Sequence, residues 1–265
     1  MYSAIQLTAK YLYYYCTAGN GKGHGIHSPF IFDFIKNVLS DKKQYPAFTK
    51  IEKKRKELLK DNTVIAVEDF GAGSSGSKTN RRKVKDIAAS SLKPPKYAQL
   101  LYRIVQYYQP ATVVELGTSF GITSAYLAAG NTAAQVYTCE GSSAIAAYAK
   151  KTFDVVGLKS ISLTEGNFDD TLPHLLATLG QIDFVFIDGN HRRQPTVNYF
   201  NQLLNSSTEN TVMVFDDIHW SKEMEQAWHE IKLASSVTCT IDLFFIGIVF
   251  FNKDFKSPQH FTLRF

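Results

Sequence analysis

From about residue 93 onward, short apolar runs alternate with segments whose apolar positions recur every three or four residues. These are the signatures of strands and amphipathic helices. ATVVEL (111–116), AQVYTCE (134–140), ISLTEG (161–166), IDFVFID (182–188) and TVMVFDD (211–217) read as strands. Between and after them fall five helical stretches: ITSAYLAAG stopped by Gly130, SSAIAAYAKKTFDVV, TLPHLLATLG, QPTVNYFNQLLN and KEMEQAWHEIKLA. Pro195 lies in the first turn of its helix, where a missing N–H costs little. The fourth strand is nearly all apolar, which predicts a central position. The closing segment TCTIDLFFIGIVFFN holds two strands with no room for a crossover helix, so they must run antiparallel. The pattern predicts an α/β chain: a doubly wound, mostly parallel seven-stranded sheet with one antiparallel strand in a C-terminal hairpin. Ligands of such sheets bind beyond the carboxyl ends of the strands.

Residues 1–92 follow a different pattern, with helices expected at about 3–17, 28–39 and 45–60, then a strand TVIAVEDF and a loop. Ser28 and Pro29 suit the N-cap and first position of the second helix. We therefore expect a mainly helical, basic cap over 1–92 and a ligand-binding domain over 93–265.

Charge sharpens that division. Residues 1–95 hold 17 Lys/Arg against 8 Asp/Glu, a balance of +9, and the rest of the chain balances at −4. A basic appendage can attract nucleic acid, anionic lipid or a phosphorylated substrate. Yet Lys50, Lys53, Lys54, Arg55, Lys56 and Lys60 interleave with Ile51, Leu58 and Leu59, as in an amphipathic surface helix. The run Lys78, Arg81, Arg82, Lys83 and Lys85 follows a glycine-rich loop and is less easily explained. Composition otherwise matches a globular chain, with 45% hydrophobic and 20% charged residues. Cys16, Cys139 and Cys239 are too few and too scattered for a disulfide framework or a zinc ribbon. No apolar run is long enough to span a membrane, and the first residues do not read as a signal peptide. A cytoplasmic protein is the expectation.

Two glycine-rich loops compete as a cofactor site. A phosphate cradle or cofactor turn needs a strand before it and a helix N-terminus after it. VIAVEDFGAGSSGS (64–77) is followed by KTNRRKVKD, with no apolar helix, so the loop 71–77 reads as part of the cap. VVELGTSFGITSAYLAA (113–129) satisfies both sides. A dinucleotide fingerprint starting at Gly117 would place glycines at 119 and 122, where this chain has Ser119 and Ile122. A pyrophosphate is thereby disfavoured, because the middle glycine lets the backbone approach it. Glu140 ends the next strand, where a carboxylate can hold both hydroxyls of a ribose. Strand, glycine turn, helix, strand and terminal acid together favour an adenosyl ligand. The positive charges of S-adenosylmethionine suit the acidic mouth better than a pyrophosphate does.

VVELGTSFGITSAYLA, VYTCE, LTEGNFDDTL, IDFVFIDGNH and VMVFDDIHW resemble the class I, Rossmann-like S-adenosylmethionine-dependent methyltransferases. Within them they are similar to the O-methyltransferases of the catechol and caffeoyl-CoA type and their bacterial relatives. The resemblance covers about residues 95–251. It implies that Glu115, Gly117, Gly121 and Thr123 serve the methionine part of the cofactor and that Glu140 holds the ribose. It places Asn167 and Phe168 beside the adenine, and Asp188 near the transferred methyl. Asp188, Asp216 and Asp217 match the ligands of a divalent ion in the metal-dependent members, and three hard oxygen ligands suit Mg²⁺. Asp217 departs from the usual Asn. His191 falls where some members carry a catalytic lysine, and an imidazole is a natural base near neutral pH.

Two solutions stay open for these acids: a bound Mg²⁺, or His191 as a metal-independent base with one acid protonated. His219 lies near the same strand end. The acceptor implied is a hydroxyl of a small molecule. The alternatives are a nucleic-acid methyltransferase served by the basic segment, or a silent cofactor-binding protein. Against the first, IDGNH lacks the Asn/Asp-Pro-Pro-aromatic signature of base amino methylation. The acceptor and the oligomeric state are not legible in the sequence.

Overall fold

The structure, a computed structural model, describes residues 1–21, 27–68 and 80–265. The loop 71–77 and Lys78 lie outside the described residues. By internal contacts the chain forms two compact units, Met1–Lys42 with Gly180–Phe265, and Lys43–Leu179.

The elements run α1 (Ala4–Thr17), α2 (Pro29–Phe34, continued by a π-helical turn Ile35–Leu39), α3 (Pro46–Leu58), β1 (Val64–Ala66), β2 (Arg81–Lys83), α4 (Val84–Ser91) and α5 (Pro95–Tyr108). The alternating region follows as β3 (Thr112–Leu116), α6 (Ile122–Gly130), β4 (Gln135–Glu140), α7 (Ser143–Val156), β5 (Ile161–Glu165) and α8 (Phe168–Thr178). It continues as β6 (Ile182–Ile187), α9 (Arg193–Leu204), β7 (Ser207–Asp216), α10 (Lys222–Leu233), β8 (Cys239–Asp242), β9 (Ile246–Phe250) and β10 (Gln259–Thr262).

The main sheet has eight strands in the order β10–β8–β9–β7–β6–β3–β4–β5. This is one strand more than periodicity predicts. The addition is β10, a short QHFT segment that lies parallel to β8. β9 is the reversed strand, antiparallel to both β7 and β8. Among the described residues, the expected strand TVIAVEDF is present as the three-residue β1, which pairs with β2 in a separate two-stranded sheet. A helix does follow the first glycine-rich segment: α4, with Val84, Ile87 and Ala88 buried. Its apolar face was masked in the sequence by the basic residues around it.

In the unit Lys43–Leu179, β3, β4 and β5 are parallel, with Glu115 opposite Thr138 and Glu140 opposite Glu165. The basic helix α3 buries Phe48, Ile51 and Leu58, and also Arg55, while Lys50, Lys53 and Lys56 are exposed, so it is an amphipathic surface helix. Its Glu52 accepts a hydrogen bond from Tyr126 Oη of α6 at 2.8 Å and pairs with Arg55 at 2.9 Å.

In the unit Met1–Lys42 with Gly180–Phe265, β6 and β7 are parallel, with Ile187 opposite Phe215. Ser3 caps α1 through a reciprocal capping box with Gln6. Tyr11 and Tyr14 of α1 lie against Phe244, at ring separations of 5.1 and 5.3 Å. No helix among the described residues is long and apolar enough to cross a membrane.

Gly121 begins α6 at φ 77°, and a Cβ there would meet Phe153 Cε1 at 2.5 Å. A left-handed L-residue costs about 1–2 kcal/mol, and overpacking about 1–3 kcal/mol. Gly121→Ala is expected to destabilise the protein by about 2–5 kcal/mol, seen as a lower urea midpoint at unchanged slope. An unchanged midpoint would show that the turn has room to relax.

Candidate active site

The turn after β3 is built from the strand register upward. Glu115 is fully buried and sits opposite Thr138 on β4, whose hydroxyl donates to Glu115 Oε2 at 2.6 Å. Ser124 Oγ of α6 donates to the same oxygen. Thr118 Oγ1 lies 2.6 Å from Thr138 Oγ1, extending the chain of hydroxyls into the turn. The N–H groups of Gly117 and Thr118 both donate to the Cys139 carbonyl, at 3.0 and 3.1 Å. Burial pushes the Cys139 thiol up to about 11, so it stays protonated and inert at neutral pH. Gly117 at φ 106° and Gly121 at φ 77° supply the left-handed backbone that the turn needs. Thr123, in the first turn of α6, is buried.

Glu140 ends β4 with its carboxylate held by the backbone. The Ser119 N–H donates to Oε2 at 2.8 Å, and the Ser142 N–H donates to Oε1 at 3.0 Å. Ser119 adopts φ 48°, left-handed without being glycine. Its hydroxyl lies 2.8 Å from that of Ser91, at the end of α4. Asn167 caps α8 by accepting from the Asp169 N–H at 3.2 Å, and Phe168 opens that helix. The sequence reading missed Ser91, Ser119, Ser124, Thr138 and Ser142. Only Ser119 carried a signal, as the non-glycine inside the turn.

These residues fit an adenosyl cofactor. A carboxylate offers about four lone-pair sites, so one holding two backbone N–H groups remains compatible with accepting two ribose hydroxyls. Ser142 Oγ, at the N-cap of α7, is 1% exposed and has no hydrogen-bond partner within the protein. A buried hydroxyl so placed favours a ligand that supplies its partner.

The acid cluster lies in the other unit. Because Ile187 pairs with Phe215, the next residues, Asp188 and Asp216, come level at the strand ends. Asn190 and His191 then take φ 65° and 24°, turning the chain sharply. His191 Nε2 comes to 3.5 Å from Asp188 Oδ1. Asp188, His191 and Asp216 each offer one ligand atom, all within 4.8 Å of one another, and Asp216 is buried. Asp217, expected as the third ligand, is not in this group. It adopts φ 54° and donates its N–H to the Phe245 carbonyl at 2.7 Å. Two carboxylates and an imidazole fit a divalent cation, and a proton shared with His191 would answer the same repulsion. The His191 ring lies 5.6 Å from that of Trp220.

His219 is committed elsewhere. Its Nε2 lies 2.7 Å from Asp242 Oδ2 and its Nδ1 lies 3.1 Å from Glu225 Oε1. Glu225 also accepts from Tyr2 Oη at 2.6 Å and from Lys10 Nζ at 2.9 Å. With both ring nitrogens occupied, His219 is not placed to act as a base.

Strand order, braced glycine turn and terminal acid together define the fold of the class I methyltransferases. Residues 114–218 match the family model of a methyltransferase domain, which bears out the resemblance read in the sequence. Among solved structures, an O-methyltransferase from Bacillus cereus in complex with SAH is 18% identical, with TM-score 0.57. That match covers 83% of this chain and 97% of that one. The O-methyltransferase TomG from Streptomyces achromogenes, in complex with SAM, is 17% identical at TM-score 0.58, covering 79% and 91%. An SAH-bound Podospora anserina methyltransferase is 11% identical at TM-score 0.59, covering 96% and 98%. At these identities the likeness is one of fold. No curated protein matches the chain.

The His219 network gives stability a pH dependence. Burial disfavours its charged ring, but Asp242 and Glu225 outweigh burial and raise its pKa above the ordinary 6.5. Burial likewise pushes Glu225 up, but Tyr2, Lys10 and His219 outweigh it and hold the carboxyl below its ordinary 4.5. The histidine contribution is complete below 6.5 and is lost as pH rises through the raised value. The glutamate contribution is complete above 4.5 and is lost as pH falls through the lowered value. Urea unfolding should therefore show this network strongest between 4.5 and 6.5, and His219→Gln should flatten the alkaline decline. An identical alkaline slope in the variant would refute the assignment.

Proposed function

We propose that this chain transfers a methyl group from S-adenosylmethionine to a hydroxyl of a small molecule. The observation that carries this reading is Glu140, held by the Ser119 and Ser142 N–H groups beside a buried, unpartnered Ser142 hydroxyl. The turn lacks the glycines of a pyrophosphate site but has the acid of a ribose site. In this reading, residues 93–265 carry the transfer and residues 1–92 form the helical cap.

When bound, the cofactor supplies an electrophilic methyl on a sulfonium sulfur. The chain's own task is to align, desolvate and deprotonate. Glu140 accepts the ribose hydroxyls, and Asn167 and Phe168 flank the adenine. Gly117, Gly121 and Thr123 receive the methionine part. Glu115 serves from below by holding the turn in shape. On the acceptor side, one base among Asp188, His191 and Asp216 takes the hydroxyl proton as the oxygen–carbon bond forms and the sulfonium sulfur–carbon bond breaks, which leaves S-adenosylhomocysteine. A Mg²⁺ held by Asp188 and Asp216 would neutralise their repulsion and acidify a bound hydroxyl.

S-adenosylhomocysteine is expected to raise the melting temperature, while NAD leaves it unchanged. Glu140→Ala should remove most of the shift, since each charged hydrogen bond is worth about 1.5–3 kcal/mol. Stabilisation by NAD, or none by S-adenosylhomocysteine, would sink the reading.

Metal removal tests the acid cluster with any hydroxyl acceptor that turns over. Loss of transfer in EDTA with recovery on Mg²⁺ assigns the proton chemistry to a cation. Full activity in EDTA with a large loss in His191→Ala assigns it to the imidazole.

A further inference from the structure

Tyr2, just ahead of α1, reaches the loop that follows the acid cluster, and Lys10 within α1 reaches the Glu225 carboxylate beside it. The Tyr2 N–H donates to the Trp220 carbonyl at 3.1 Å, and the Tyr2 hydroxyl donates to Glu225 Oε2 at 2.6 Å. Lys10 Nζ reaches both Glu225 oxygens, at 2.9 and 3.2 Å. Glu225 in turn accepts from or pairs with His219 Nδ1, while Asp242 holds Nε2 from the other side. Asp242 is itself fixed by the Phe244 N–H at 2.8 Å, and His219 stacks on the Phe244 ring. Tyr11 and Tyr14 of α1 pack on that same phenylalanine. The four residues after Asp216 are thus gripped at His219 and at the Trp220 carbonyl, and the Trp220 ring lies against His191.

We propose that Tyr2, Lys10 and His219 are positioning residues: α1 clamps the 217–220 loop so that Trp220 keeps His191 beside Asp188 and Asp216. The proposal rests on reading those three residues as the acceptor-side chemistry. Loop residues at positive φ hold their conformation only where surrounding contacts over-determine it. Asp217 and His191 both have positive φ. The grip on the loop supplies that surplus for one, and the Trp220 ring supplies it for the other. A packed ring also restricts an imidazole that hydrogen bonding alone would leave free to rotate. Glu225 is the hub, because one buried-side carboxylate collects a phenol, an ammonium and an imidazole.

The test uses the full chain labelled with 5-fluorotryptophan. Its two tryptophans, Trp220 and Trp228, are assigned by Trp220→Phe. In the otherwise unaltered protein, His191→Ala should shift the Trp220 fluorine resonance. In Tyr2→Phe/Lys10→Met the Trp220 resonance should move toward its solvent-exposed position and lose its response to His191→Ala. Lys10→Arg should restore the response. A second variant lacking residues 1–2 should show the same loss, which guards against compensation at the side chains. A merely structural role would lower the melting temperature and leave the Trp220 response intact, and that result would overturn the proposal. Binding of S-adenosylhomocysteine, measured in parallel, reports separately on the methyltransferase reading. Its failure counts against that reading, whereas an unmoved Trp220 counts against the clamp.

Discussion

A carboxylate with no access to solvent sits beneath the glycine turn, and the geometry of the cofactor side follows from it. Stripping a charge of water costs several kcal/mol unless hydrogen bonds replace the hydration. Glu115 Oε2 accepts from hydroxyls of two different elements, Ser124 on α6 and Thr138 on β4. Thr138 passes the constraint on to Thr118 in the turn itself. The strand, its neighbour, the turn and the following helix are thereby fixed to one another through a single buried group. Apolar packing would hold them close without specifying the register, since it is not directional. The directional hydrogen bonds converging on Glu115 Oε2 do specify it.

The acid cluster is organised by different physics. Strand register alone brings Asp188 and Asp216 level, because parallel neighbours keep step. Bringing the imidazole back to them needs two successive left-handed residues, Asn190 and His191, at a local conformational cost. Asn190 repays part of it by donating to Tyr199 Oη at 3.1 Å. The result is a group whose mutual repulsion has to be answered by a proton or a cation. That is a property suited to handling a hydroxyl proton.

Periodicity made the alternating region legible because its strands and helices are long and their apolar faces clean. It failed at β10, where four mixed residues carry no alternation, and at α4, where basic side chains hide an apolar face of three residues. Glu140 and Asp188 were legible because an acid closing an apolar strand has few bland explanations. Their partners were not. Ser119 and Ser142 act on Glu140 through backbone N–H groups, which no side-chain pattern announces. His191, expected as a base, lies with Asp188 and Asp216, whereas Asp217, expected as a ligand, does not, and backbone dihedrals accompany both: Asp217 at positive φ sends its N–H to Phe245, and His191 at positive φ has its ring near Asp188. The link from Glu225 to Tyr2 spans 223 positions and leaves no local trace.

The basic N-terminal segment reads as an appendage by charge, yet in each unit its residues hold other parts of the fold in place. In one unit, Glu52 of α3 holds Tyr126 of α6, and Ser91 of α4 meets the Ser119 hydroxyl in the turn. In the other, Tyr2 and Lys10 hold the loop after Asp216 through Glu225. Net charge reports how a surface meets its surroundings; it does not report what the opposite face of the same helix supports. The lysines of α3 face outward because Phe48, Ile51 and Leu58 face inward, and it is the inward face that connects this segment to the site. The +9 balance of this segment is therefore no measure of what its buried side contacts. Part of it is the solvated side of a helix whose buried side packs Phe48, Ile51 and Leu58.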